Sequence, residues 1–221
     1  MHDEPVHPLA PGGTLLVLAK EPLPGRVKTR LTSRFSPEDA ARLAEASLHD
    51  TLDVVAETPA ARRVLVLDGR PGPWLPPGME VVPQVGGGLD LRLAAAFDGV
   101  EGPTLLVGMD TPQLTPDLLR SGLDLLAEGA DAVLGPATDG GYWAIGMRRP
   151  DAAAFPGVPM SVDETGREQL RRLLALGLDV TLLPELRDVD QPDDVALVAA
   201  EVPHGRFALT AAACASASDV A

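Results

Sequence analysis

The run Leu15–Ala19, followed at once by KEPLPGRVKTRL, constrains this chain more than any other stretch. An unbroken apolar run bounded by turn-forming residues is what a strand covered on both faces of an α/β sheet requires. The strand cannot continue far past Lys20. Pro22 and Pro24 lack the N–H that a ladder needs, and Gly25 lets the backbone turn or approach a ligand closely. Lys20, Arg26, Lys28 and Arg30 therefore gather positive charge at the carboxyl end of the strand, where ligands bind in open α/β sheets. The chain contains two lysines, Lys20 and Lys28, and both lie here. An ammonium is a compact, mobile point charge suited to phosphate oxygens. The competing reading is a basic surface loop with no ligand. A Walker A loop does not fit, because Lys28-Thr29 follows Arg26-Val27 rather than a glycine.

The formal net charge of -14 argues against nonspecific nucleic-acid binding and against an anionic membrane surface. A basic loop in so acidic a chain reads as a focused site for a small anion. A single cysteine, Cys214, excludes an intrachain disulfide framework and fits a reducing compartment. The opening residues MHDEPVHPLAPGG carry no signal-peptide pattern, and no stretch approaches membrane-spanning length. A cytoplasmic protein is expected. At 221 residues one domain is the economical arrangement, spanning 14–206 between flexible tails at 1–13 and 207–221.

Strands are expected at Val64–Leu67, Glu80–Gln84, Thr104–Val107, Ala132–Leu134, Ala144–Met147 and Val180–Leu183, alternating mostly with helices. Ser36-Pro37-Glu38-Asp39 and Thr115-Pro116-Asp117 each supply an N-cap and a first-turn proline. The glycines after Gln84 do not make a dinucleotide fingerprint, since Leu91 stands where the third glycine belongs. Gly86 and Gly87 still admit a flat nucleobase, and the Gln84 amide suits a base edge; a plain flexible turn is the alternative. Asp110, between Gly108 and Pro112, is placed to hold a divalent cation against a phosphate, or to cap a turn. Asp139-Gly140-Gly141 between apolar runs reads as a hairpin turn; its paired glycines would admit a ligand beside Tyr142. Asp190 lies just before a helix start, where a carboxylate is also favourable for structural reasons. None of the four histidines forms a credible metal pair or triad.

The runs AKEPLPGRVKTRL, GMDTP, GPATDGGYWAIG and DVDQPDD resemble a bacterial glycosyltransferase-like family of the GT-A nucleotide-diphospho-sugar transferase superfamily. They are similar to those of 2-phospholactate guanylyltransferases and, more distantly, molybdenum-cofactor guanylyltransferases, over about residues 14–200. The resemblance implies a Rossmann-like three-layer α/β/α sandwich with a mostly parallel sheet. It implies that Asp110 and Asp190 bind Mg2+ or Mn2+ and that Lys28 and Arg30 act at the phosphates. The metal turn reads Gly-Met-Asp-Thr-Pro where the guanylyltransferases carry Gly-Asp-Leu-Pro, which leaves the acceptor open.

Two reactions fit these residues. In nucleotidyl transfer from a nucleoside triphosphate, pyrophosphate leaves and cations must gather around the β- and γ-phosphates. In glycosyl transfer from a nucleotide-sugar, a nucleoside diphosphate leaves and a carboxylate often serves as base, for which Asp163 is a remote candidate, a helix-start acid being the favoured reading of that residue. The cation-rich loop favours the first. The expected site comprises Lys28, Arg30 and Asp110 as catalytic groups, with Lys20, Gly25, Arg26, Lys28 and Arg30 on the phosphates. Gln84, Gly86 and Gly87 take the base, Asp139, Gly140, Gly141 and Tyr142 a small-molecule acceptor, and Asp110 and Asp190 the metal. A non-catalytic nucleotide-binding module is a third reading.

Overall fold

The computed structural model describes residues 12–218. Seven strands form one sheet: β1 (Thr14–Lys20), β2 (Arg62–Asp68), β3 (Glu80–Pro83), β4 (Thr104–Val107), β5 (Ala132–Pro136), β6 (Tyr142–Met147) and β7 (Val180–Leu182). Their spatial order is β3-β2-β1-β4-β6-β5-β7. Only β6 runs antiparallel, between β4 and β5, and every other pairing is parallel. The mostly parallel α/β architecture expected from the sequence is therefore present.

The helices are α1 (Pro37–Glu57), α2 (Leu89–Phe97), α3 (Pro116–Glu128), α4 (Thr165–Ala175), α5 (Pro192–Glu201) and α6 (Arg206–Ser218). Successive strand side chains point to opposite faces, and the sequence uses both. Leu15 and Val17 pack with Leu65, Leu105 and Val107 against α1 and α3, while Leu16, Val64 and Leu106 pack against Leu93 and Phe97 of α2 and Leu173 of α4. Three layers result. Ser36 caps α1 by accepting from Asp39 N at 3.0 Å, and Thr115 caps α3 by accepting from Leu118 N at 3.2 Å.

The C-terminal segment departs from expectation. The region from 207, read as a loose tail, forms α6 as far as Ser218. Phe207, Ala211 and Cys214 recur at helical spacing and pack with Leu43 of α1 and Val198 of α5 in a third apolar cluster. Asp50 of α1 starts the helix from outside, accepting from Arg206 N at 3.1 Å and Phe207 N at 2.9 Å. A composition of small residues hid a short apolar stripe. The expected N-terminal tail lies almost wholly outside the described residues. Among the described residues no helix is long and apolar enough to cross a membrane.

Candidate active site

Strand order places the site. From β1 the chain moves outward to β2 and β3, then returns to place β4 on the other side of β1, so a crevice opens where the order reverses. A cleft of about 750 Å3 lies there, bordered by the β1 loop, the Asp110 turn, the β5–β6 turn and residues 160–165.

The cationic loop is folded inward. Gly25 has φ 73 and Lys28 has φ 49, a left-handed conformation unusual for a residue with a side chain. A 3-10 turn over Thr29–Ser33 follows, anchored by fully buried Leu31. The Lys28 side chain is only 7% exposed, and its ammonium lies 2.7 Å from Asp110 Oδ1 while also donating to the Val189 carbonyl. Arg30 forms an ion pair with Asp190. Each of these two loop cations thus sits on one of the two carboxylates expected to bind metal. Lys20 and Arg26 line the cleft at its rim, with Arg26 60% exposed and 4.0 Å from Asp68. Gly25 does not reach the cleft wall; it serves the turn.

Asp110 and Asp190 come from distant sequence but are held in one frame. Val189 N donates to the Asp110 carbonyl at 2.9 Å, and the Gln113 amide donates to the Arg187 carbonyl. The helix-start role considered for Asp190 belongs to Asp194, whose Oδ2 accepts from Gln191 N at 2.7 Å and Asp190 N at 3.2 Å. Arg187 pairs with the other Asp194 oxygen at 3.0 Å. The Asp190 carboxylate is left to face the cleft.

A further carboxylate, Asp188, lines the cleft and has no assignment from sequence. Burial pushes its pKa up from 3.8 to about 6; Asp139 and Asp110 push the same way and Lys28 opposes them. The available signal was position, because Asp188 and Asp190 stand on either side of buried Val189.

The base and acceptor expectations need revision. Both amide hydrogens of Gln84 are taken, by the Ala19 carbonyl at 2.7 Å and the Val66 carbonyl at 3.0 Å. Its oxygen accepts from Arg92 at 3.2 Å. Gln84 therefore staples the ends of β1 and β2 and positions Arg92, and both line the cleft; Gly86 and Gly87 do not. On the opposite wall, a Cβ at Gly140 would lie 1.9 Å from the Asp163 carbonyl oxygen. That glycine accommodates a neighbouring loop rather than a ligand. Asp139 accepts from Gly141 N at 2.7 Å in an Asx turn, the structural alternative for such a residue, yet it still lines the cleft with Gly141 and Tyr142. The Tyr142 hydroxyl is turned to Gln169 Oε1 at 3.3 Å, and burial holds the phenol protonated. Asp163 also lines the cleft.

Among the described residues no group of three or more His, Cys, Asp or Glu converges to hold a metal. Asp110 and Asp190 offer hard oxygen donors from two carboxylates. That set fits Mg2+ or Mn2+ completed by water and substrate phosphate, and does not fit a cation caged entirely by protein.

Residues 43–162 match the model of a family described as an uncharacterized protein conserved in bacteria, DUF2064. The chain belongs to this family. This DUF2064 member is 32% identical over 181 residues to 2-phospho-L-lactate guanylyltransferase of Haloarcula marismortui, covering 77% of this chain and 79% of that protein. Its structure resembles that of a provisionally assigned nucleotide-diphospho-sugar transferase from Desulfovibrio desulfuricans G20, with TM-score 0.73 and 29% identity over 81% of this chain and 82% of the other. The manganese complex of Rv0371c from Mycobacterium tuberculosis H37Rv shares the fold at TM-score 0.53 and 21% identity, covering 84% of this chain and 97% of that one.

Proposed function

We propose that this protein is a cytoplasmic, divalent-cation-dependent nucleotidyltransferase that moves a nucleoside monophosphate from a nucleoside triphosphate to a small acceptor. The observation that carries the reading is the pairing of Lys28 with Asp110 and of Arg30 with Asp190 in one cleft at the sheet's switch point. Cations for a triphosphate and carboxylates for its metal are already assembled there. The similarity to a guanylyltransferase supports the same reaction class and makes GTP the first donor to try.

In this reaction an acceptor oxygen attacks the α-phosphorus, the bond to the bridging oxygen of the β-phosphate breaks, and pyrophosphate carries away the electron pair. Lys28 and Arg30, flanked by Lys20 and Arg26, stabilise the charge that develops on the leaving pyrophosphate. Mg2+ or Mn2+, held by Asp110 and Asp190, would supply further neutralisation of the phosphate oxygens. The apolar surface of Leu18, Leu89, Leu93 and Met160 gives the base or acceptor a dry wall, with Arg92 as its polar handle.

Glycosyl transfer from a nucleotide-sugar is the second reading, favoured by the Desulfovibrio neighbour and by Asp163 at the cleft. Pyrophosphate release from each common nucleoside triphosphate, with Mg2+ and small phosphorylated or carboxylated acceptors, separates the two. Asp110→Asn should lower that release by at least about 100-fold in protein whose circular dichroism shows it folded at the assay temperature. Release undiminished in the variant would remove Asp110 from the reaction.

A further inference from the structure

We propose that Lys28 and Arg30 are resident counter-ions of the metal site. In the free protein they neutralise Asp110 and Asp190; they pass to the nucleotide phosphates when a divalent cation takes those carboxylates. Cation and nucleotide then bind synergistically, each weakly without the other. This rests on the reading of Asp110 and Asp190 as metal ligands.

Four features of the cleft lead to this. The Lys28 ammonium is almost out of solvent, between Asp110 Oδ1 and the Val189 carbonyl, so losing the Asp110 charge would strand a buried cation unless another anion replaced it. Lys28 and Arg30 are two residues apart in one anchored loop, and their partners are joined by the Val189–Asp110 hydrogen bond, so the two pairs form a matched set. A divalent cation arriving alone meets an ammonium and a guanidinium already on its ligands. A triphosphate arriving alone meets Asp110, Asp139, Asp188 and Asp190 around the same cleft. When both arrive, carboxylates face the metal and Lys28 and Arg30 face phosphate, and every charge keeps an opposite partner. Linkage makes the effect reciprocal: the factor by which the cation tightens nucleotide binding equals the factor by which the nucleotide tightens cation binding.

The test uses the metal-free full chain. Mn2+ binding without nucleotide is followed by electron paramagnetic resonance of the free ion, and inorganic tripolyphosphate binding in EDTA by calorimetry. Lys28→Met and Arg30→Met should each bind Mn2+ alone at least about fivefold more tightly than the wild type. Arg26→Met makes the same charge change in the same loop without breaking either pair, and should change it less than about twofold. In EDTA, Asp110→Asn should bind tripolyphosphate at least about fivefold more tightly, and Asp139→Asn should gain less. If Lys28→Met does not fold by circular dichroism, the more exposed Arg30 and the Asp110 variant decide the matter. Unchanged or weaker Mn2+ binding in the Lys28 and Arg30 variants, or an equal gain in Arg26→Met, would overturn the proposal. A wild type that binds Mn2+ with nucleotide and turns over, while its variants show no gain, refutes the counter-ion exchange alone. A wild type that never binds Mn2+, even with nucleotide, refutes the metal reading and this proposal together.

Discussion

Asp188 shows how much a single residue owes to its surroundings. An unfolded aspartate ionises near 3.8 and this one near 6, so between those values the folded chain holds the extra proton and stability falls as pH rises. Above 6 the folded state bears the full cost of the partly buried charge. Asp188→Asn should therefore raise stability at pH 7.5 by about 1 kcal/mol, a value reduced for solvent screening, or about 2–4 °C in Tm. At pH 4 the gain should nearly vanish; melting curves in EDTA at both pH values check this. Lys28, Arg30 and Asp110 drew notice in sequence because charge gathers close to Gly or Pro at a strand end, whereas Asp190, which also suits a helix start, was singled out through the resemblance. The hydrogen bonds of Gln84 were not legible because an amide side chain reveals nothing of the carbonyls it will meet, here those of Ala19 and Val66. Asp188 was overlooked because its raised pKa arises first from burial in the folded cleft and then from Asp139 and Asp110, none of which local sequence reveals.

At the scale of elements, local signals sufficed where a strand or helix carries its own boundary. The β4 limits agree with the expected Thr104–Val107, since a short apolar run needs no distant partner. The β5–β6 connection is the expected hairpin, but Gly140 is required by the loop around Asp163. Gly140 has φ 86 and no room for a Cβ, so Gly140→Ala should destabilise by about 2–3 kcal/mol in chemical denaturation. A loss under about 0.5 kcal/mol would mean that the 160–165 loop gives way easily. Helix α6 was illegible because its stripe has only Phe207, Ala211 and Cys214, and its cap, Asp50, belongs to α1. Phe207→Ala should cost about 3 kcal/mol by the same measurement, and a negligible cost would show that α6 is peripheral.

The whole molecule explains why the site stands where it does. A parallel sheet with one antiparallel strand, β6, brings the ends of β1 and β4 together with the β5–β6 turn and the segment before α5. Four stretches separated by tens of residues become one cleft. Against the net charge of -14, the loop of Lys20, Arg26, Lys28 and Arg30 is a local inversion of sign, and it is this contrast that focuses a polyanionic substrate. The central claim is that the bond broken lies between the α- and β-phosphates of a nucleoside triphosphate. Phosphorus NMR of the purified protein with Mg2+, GTP and small phosphorylated or carboxylated acceptors reads that bond directly. The account predicts inorganic pyrophosphate together with a new α-phosphorus signal in the product, both lost in Asp110→Asn. Nucleoside diphosphate released from a nucleotide-sugar, with every triphosphate left intact, would contradict it.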